Sequence, residues 1–224
     1  MLEDTAQGFG GAIGGDKAGS FGDIGTTSFF PAKPLGCYGD GGAIFTDDDE
    51  WAALLRSFAV HGKGSEKYDN IRIGMNSRLD TLQAAILSAK LPVFISSELD
   101  AVNRVAELYS VGLKDMANKT GILLPVIPEK YSSAWAQYTI QLPGGVDRAE
   151  LQRSLAEQGI PTMVYYPKPM HEQIAFEGRC LCPSGCPITS HLCRTVLSLP
   201  MGPYMAESDV ERVSVGLKNA IVNR

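Results

Sequence analysis

Lys33 stands between Pro31 and Pro34, and the string Gly36-Cys37-Tyr38-Gly39-Asp40-Gly41-Gly42 follows it. A lysine in a loop is ordinarily a solvated charge. One held in a stiff, partly desolvated loop has a lowered pKa and a freed lone pair, which suits Schiff-base chemistry on a carbonyl carbon. Asp4 ends a short β-type run, Gln7 lies three residues on, and Ser28 comes just before the lysine loop. A carboxylate such as Asp4 is what a pyridinium nitrogen requires if an aromatic ring is to serve as an electron sink. Asp4 and Ser28 are also common turn and cap types, so their chemistry depends on what carries them to Lys33.

Two other phosphate-binding patterns fail. A dinucleotide fingerprint needs a helix opening directly after its glycines and an acid on a second strand, and neither follows Gly8 to Gly15. A P-loop needs its lysine after the glycines, whereas Lys33 precedes them.

The elements that would position these residues can be read from spacing. Of 24 glycines, 12 fall within the first 42 residues, so that region needs backbone freedom. Leu2 to Ala6 reads as a short extended element, Gly8 to Gly15 as a loop, and Thr26 to Phe30 as a strand stopped by Pro31. Ala43 to Thr46 resumes as a strand. Asp47 to Glu50 supply a cap and first-turn acids for a helix through Trp51, Leu54, Leu55 and Phe58. After an irregular stretch from 63 to 77, a helix from Asp80 to Ala89 is predicted, kinked or broken at Pro92. A longer one runs through Leu99, Val102, Val105, Leu108, Val111 and Met116. Beyond it, strands are predicted at Ile122–Ile127, Ala134–Leu142 and Thr162–Tyr166. Helices are predicted at Arg148–Gln158, capped by Asp147, and at Pro187–Val196 and Glu207–Ile221. Trp135 and Tyr138 are expected in the core of this second, α+β part.

Composition narrows the partners. The 224 residues carry 20 Lys+Arg and 25 Asp+Glu, a net charge of −5, and 44% are apolar. With no cationic run a nucleic-acid surface is not expected, and with no long apolar stretch or signal-like start neither is a membrane span or export. Five cysteines then read as free thiols in a reducing cytoplasm. Cys180, Cys182, Cys186 and Cys193 are spaced C-x-C, C-x3-C and C-x6-C, none a good zinc knuckle, so no metal is expected and the segment reads as a cysteine-rich surface loop.

Glu3-Asp4-Thr5-Ala6-Gln7, Thr27-Ser28-Phe29-Phe30-Pro31-Ala32-Lys33-Pro34-Leu35-Gly36 and Gly39-Asp40-Gly41-Gly42-Ala43 together resemble the DegT/DnrJ/EryC1/StrS family of pyridoxal-phosphate sugar aminotransferases. The resemblance continues through His61-Gly62, Gly74-Met75-Asn76-Ser77-Arg78-Leu79-Asp80, Gln83-Ala84-Ala85, Tyr165-Tyr166-Pro167 and Ser198-Leu199-Pro200-Met201. The wording of the motifs looks most like the 3-aminotransferases of UDP-linked 3-oxo-hexuronic acids in O-antigen and lipopolysaccharide biosynthesis.

That resemblance implies an α/β fold of the type I, aspartate-aminotransferase-like class. Residues 1–97 would be part of the large cofactor-binding domain and 98–224 the small C-terminal domain. It implies pyridoxal 5'-phosphate bound through Lys33, the ring nitrogen on Asp4, Gln7 against the ring, and Ser28 on the phosphate. It implies that Asn76 reaches the phosphate of a neighbouring subunit's cofactor, with Arg78 at the same shared site, and hence a homodimer. Substrates would be glutamate and a nucleotide-linked keto sugar, with Arg78, Tyr165 and Tyr166 on the sugar side. Arg78 also reads simply as a helix-start ion pair, and His61 as a satisfied structural residue.

Two departures bear on this. Relatives often have His where this chain has Tyr165, and family members carry a long segment ahead of the Glu3-Asp4 motif that includes part of the phosphate cradle. The rival expectations are a dehydratase-like use of the same cofactor, against which Lys33 argues, and a partial chain that binds partners without catalysis.

Overall fold

The alternation of apolar and polar residues around Thr26 and Thr27 builds the middle of a three-stranded sheet. In the computed structural model, which describes residues 1–182 and 184–222, β1 (Leu2–Asp4) is followed by β2 (Ala12–Ile13), β3 (Asp16–Lys17), β4 (Ile24–Ser28) and β5 (Gly42–Phe45). The sheet order is β1-β4-β5, with β1 parallel and β5 antiparallel to β4. Leu2, Asp4, Thr26, Ser28 and Ile44 share one face through the registers Leu2↔Ile24, Asp4↔Thr26 and Thr26↔Ile44. Thr27 and Phe45 belong to the other face, next to the core of Phe29, Leu35, Cys37, Leu87 and Phe94, to which Phe9 adds rings 6.0 to 6.2 Å from Phe29, Phe45 and Phe94.

The glycine-rich stretch from Gly8 to Gly15, expected to be all loop, contains β2. Gly14 and Gly15 both take positive φ, at 62° and 104°. Two such residues in a row make the tight turn whose twist matches paired strands, and only glycine adopts it without strain. β2 then pairs with β3 on one side and with β6 (Tyr131–Ser132) on the other.

Helix α1 (Asp49–Ala59) starts as predicted, with Asp48 Oδ1 accepting from Trp51 N at 2.8 Å. α2 (Thr81–Val93) does not end at Pro92. The proline has no N–H for the Ser88 carbonyl, and a five-residue π turn, Phe94–Glu98, follows at once before α3 (Leu99–Thr120) continues. The widened turn absorbs the lost bond while seating Phe94 in the core. α3 closes at Gly121, φ 77°.

The chain forms two units: residues 1–100 with 127–136, and residues 101–126 with those from 137 onward. Trp135, expected in the second part's core, is half-buried in the first unit. The second unit contains β7 (Tyr138–Gln141), α4 (Arg148–Glu157), α5 (Pro187–Thr195), β8 (Val196–Leu199) and α6 (Glu207–Val222), with β7 and β8 antiparallel. Asp147 caps α4 as predicted, accepting from Glu150 N at 3.0 Å. The predicted strands at 122–127 and 162–166 reduce to single bridges, Leu123↔Gln141 and Met163↔Ser198. Pro125 interrupts the first and Pro128 follows it, Pro161 and Pro167 flank the second, and proline cannot donate to a ladder.

Tyr109 and Tyr138 lie fully buried with rings 5.0 Å apart. Burial pushes both hydroxyls up in pKa, with Tyr138 and Asp209 adding to the effect on Tyr109 and the Ser110 hydroxyl offsetting part of it on Tyr138. Both stay protonated, and the Tyr109 hydroxyl donates to Pro200 O at 2.8 Å. No helix among the described residues is long and apolar enough to cross a membrane.

Candidate active site

Asp4 and Ser28 end two adjacent parallel strands on the same face of the sheet, the edge at which open α/β sheets place their ligands. A threonine lattice fixes this edge. Thr5 N and Oγ1 both donate to Thr26 O, at 2.7 and 2.8 Å, while Thr26 Oγ1 donates to Glu3 O and Thr27 Oγ1 to Thr5 O. Beyond Thr5 the chain turns, with Gly8 N and Phe9 N both donating to Thr5 O, and this turn carries the exposed Gln7. Asp4 Oδ1 accepts from Ala6 N at 2.9 Å, which orients the carboxylate and leaves Oδ2 without a hydrogen bond among the described residues.

Lys33 sits five residues past Ser28 in a turn closed by its own N–H on Phe30 O, 2.8 Å. Buried Leu35 and Cys37 anchor the far side of that turn. Cys37 N and Sγ both donate to Phe29 O, at 2.8 and 3.0 Å, Sγ also reaches Gly39 O, and Lys90 Nζ donates to Gly36 O. Gly36 is required for the fit, because a Cβ there would lie 2.5 Å from Pro31 O. The lysine side chain is half-buried, and its amine has no ion pair or hydrogen bond among the described residues. Ser28 Oγ accepts from Phe30 N at 3.3 Å, which leaves its proton to donate to a ligand.

Glu3 is the residue that motif reading passed over as a neighbour of Asp4. Its carboxylate accepts from three backbone amides, Gly19 N at 2.7 Å and Phe21 N and Gly22 N at 2.9 and 3.1 Å. Partial desolvation pushes the carboxyl up, but the three amides together outweigh it and hold the pKa below the ordinary value. Glu3 thereby ties the 19–22 loop to the strand that carries Asp4. A sequence signal existed in the glycines at 19 and 22, which leave amides open to a close acceptor.

Asn76 bridges to Val60, and its Oδ1 accepts from Arg78 Nε at 3.0 Å. That bond uses the guanidinium edge and leaves both terminal nitrogens for another partner. The helix-start ion pair does not form, since no carboxylate among the described residues lies within reach of Arg78. Arg78 lines a groove of about 920 Å³ together with Thr26, Asp40, Ile44, Arg56 and Leu79. His61 is exposed, at φ 58°, and its imidazole makes no hydrogen bond or ion pair among the described residues, so it is not the satisfied structural residue expected. In the second unit Tyr165 is half-buried and Tyr166 exposed, with rings 5.5 Å apart at 77°.

The donor set fits pyridoxal phosphate: a carboxylate oxygen open for a ring N–H, a hydroxyl proton for a phosphate oxygen, and an unpaired, half-buried amine for an aldehyde carbon, all beyond one sheet edge.

Comparison with known proteins agrees. A model described as the DegT/DnrJ/EryC1/StrS aminotransferase family matches residues 1–218. A UDP-2-acetamido-2-deoxy-3-oxo-D-glucuronate aminotransferase from Pseudomonas aeruginosa is 42% identical over 219 residues, covering 98% of this chain and 58% of that protein. The crystal structure of a DegT DnrJ EryC1 StrS aminotransferase from Brucella abortus superposes with a TM-score of 0.90 at 45% identity, covering 98% of this chain and 57% of that one. A Bacillus subtilis structure described as having the bound cofactor PMP gives a TM-score of 0.84 at 32% identity, covering 99% of this chain and 50% of that one. The chain thus spans somewhat over half the length of the curated relative.

Proposed function

Because the chain belongs to the DegT/DnrJ/EryC1/StrS aminotransferase family, we propose that it carries the lysine-bearing part of a pyridoxal-phosphate sugar aminotransferase that moves an amino group from glutamate to a keto carbon of a nucleotide-linked sugar. The carrying observation is the shared sheet edge, with Asp4 and Ser28 on adjacent strands and the unpaired Lys33 amine in the turn that follows. The substrate reading is a UDP-linked 3-oxo-hexuronic acid, as the Pseudomonas aeruginosa relative's name supports. Such a substrate would place the activity in O-antigen or lipopolysaccharide assembly.

When bound, the cofactor supplies the electron sink that lets an amine and a carbonyl oxygen exchange places. Lys33 Nζ would be the residue that holds it covalently, and the same amine would be the base placed to hold or move a proton at the carbon under exchange. Asp4 Oδ2 would accept from the ring N–H and favour that nitrogen's protonated form, with Oδ1 already fixed by Ala6 N. Ser28 Oγ donates to a phosphate oxygen. Gln7, on the turn after Asp4, would contact the ring, and Asn76 would contribute to the phosphate site of a second copy in a homodimer. The Arg78 fork receives the sugar carboxylate in a paired contact, with Tyr165 and Tyr166 on the sugar side. On their own, these 224 residues should hold the cofactor weakly, because the face bearing Asp4 and Ser28 is open, with Leu2 72% and Ile44 52% exposed.

Borohydride reduction of the chain saturated with pyridoxal phosphate, followed by peptide mapping, tests the assignment. The label should appear on Lys33 and vanish in Lys33→Ala. A label spread over Lys17, Lys63 and Lys90 instead would refute it.

A further inference from the structure

The cysteine spacings argued against a metal, but the structure supplies the ligand those spacings lack. His171, Cys182 and Cys186 each bring one donor atom into a cluster in which all lie within 4.8 Å of one another. His171 belongs to the short 3-10 turn Met170–Glu172, and Cys186 is the residue before Pro187 at the start of α5. We propose that these three residues form a binding site for a zinc-like divalent cation, which ties the 171–182 excursion to the start of α5.

Two thiolates and an imidazole are the donor chemistry that selects zinc over magnesium or calcium. Tetrahedral coordination places two sulfurs about 3.8 Å apart and a sulfur and a nitrogen about 3.5 Å apart, from metal–ligand lengths of about 2.3 and 2.0 Å. The donor atoms, all within 4.8 Å of one another, can reach these separations by side-chain rotation. The Cys182 and Cys186 sulfurs now stand 2.7 Å apart, so loading widens them by about 1 Å, within reach of side-chain rotation. A carboxylate stands beside the imidazole. The His171 side chain is only 19% exposed, its Nε2 lies 3.6 Å from Glu172 Oε1, and that oxygen accepts from Ser190 Oγ of α5 at 2.8 Å. A carboxylate beside a ligating histidine, itself hydrogen-bonded, is the usual arrangement behind metal-binding imidazoles. Binding releases the two thiol protons, and the cation's charge of two is balanced by the two thiolates. Water takes the fourth position.

The test uses the full chain, reduced and freed of metal, titrated with Co²⁺ and then Zn²⁺. One equivalent should give the visible bands of tetrahedral cobalt and a thiolate charge-transfer band, both removed by Zn²⁺. Cys182→Ser, Cys186→Ser and His171→Ala should each weaken binding by at least about tenfold, since even residues behind the ligands matter to that degree. Cys180→Ser should bind as the wild type. Zn²⁺ should also slow tryptic cleavage after Arg179, which lies within the closed loop, in the wild type and not in His171→Ala. Octahedral or absent cobalt bands would overturn the proposal, as would equal loss in Cys180→Ser. So would an intact His171→Ala response, or a mass two hydrogens short under non-reducing conditions with no metal taken up after reduction, the signature of a Cys182–Cys186 disulfide instead.

Discussion

Replacing Glu3 by Gln removes a charge without changing shape, and three backbone amides report the difference. In the wild type Gly19 N donates to one carboxylate oxygen and Phe21 N and Gly22 N to the other. The glutamine amide has a single acceptor oxygen. Facing Phe21 and Gly22 it keeps two bonds and sets its NH₂ against the Gly19 N–H, while the reverse orientation keeps one. At least one bond to an ionised group is lost, worth about 1.5–3 kcal/mol when well shielded. The carboxylate is only partly covered, so solvent screening reduces this to about 1–2 kcal/mol. For a chain of this length each kcal/mol moves Tm by about 2–4 °C, giving a drop of about 2–8 °C at pH 7. The pH dependence is sharper evidence. The folded carboxyl has a pKa held below its ordinary value of 4.5, so its contribution is complete above about pH 4.5 and is lost as pH falls through the lowered folded value. Thermal melts of both proteins followed by circular dichroism at pH 7 and at steps below 4.5 should therefore show a gap that closes on acidification. No gap at pH 7, or one that persists below the folded pKa, would refute the account.

Two further outcomes follow from the sheet edge and the groove. Asp4→Asn should still take up cofactor but lose turnover in the complete enzyme by about 100-fold or more, because a neutral amide does not hold the ring nitrogen protonated; steady-state kinetics with glutamate as donor would show it. Arg78→Lys should cut the preference for a hexuronic acid over its hydroxymethyl analogue by about tenfold, through loss of the paired contact that an ammonium cannot make; equal preference in both proteins would remove the role.

What was legible and what was not divides along physical lines. The caps at Asp48 and Asp147 were readable because a short acid before a helical repeat satisfies amides within the same turn, a wholly local act. The strand around Thr26–Ser28 and the turn at Lys33 were readable for the same reason, since prolines and glycines dictate their own dihedrals. The false strands at 122–127 and 162–166 were also a local reading, of apolar content, and failed because a ladder depends on a neighbour that accepts and donates in register, which the flanking prolines deny. β8 escaped because Val196 directly continues the residues of α5, with no punctuating residue between them.

The site shows the same boundary at finer scale. Lys33, Asp4 and Ser28 were singled out by their motif neighbours, since each type alone also reads as a turn, cap or solvated residue. Glu3 and Cys37 were missed because theirs is supplied by distant backbone, namely amides 16 to 19 residues away for Glu3 and a carbonyl eight residues away for Cys37. His171 lies near Cys182 and Cys186 in sequence, but cysteine spacing alone decided against a metal, and only the turn at Met170–Glu172 shows the imidazole brought up to the two sulfurs. Residues proposed to act on a ligand can be picked out by type and motif. Residues that hold those residues in place, or that complete a cluster from another segment, become visible only when the fold closes the distance.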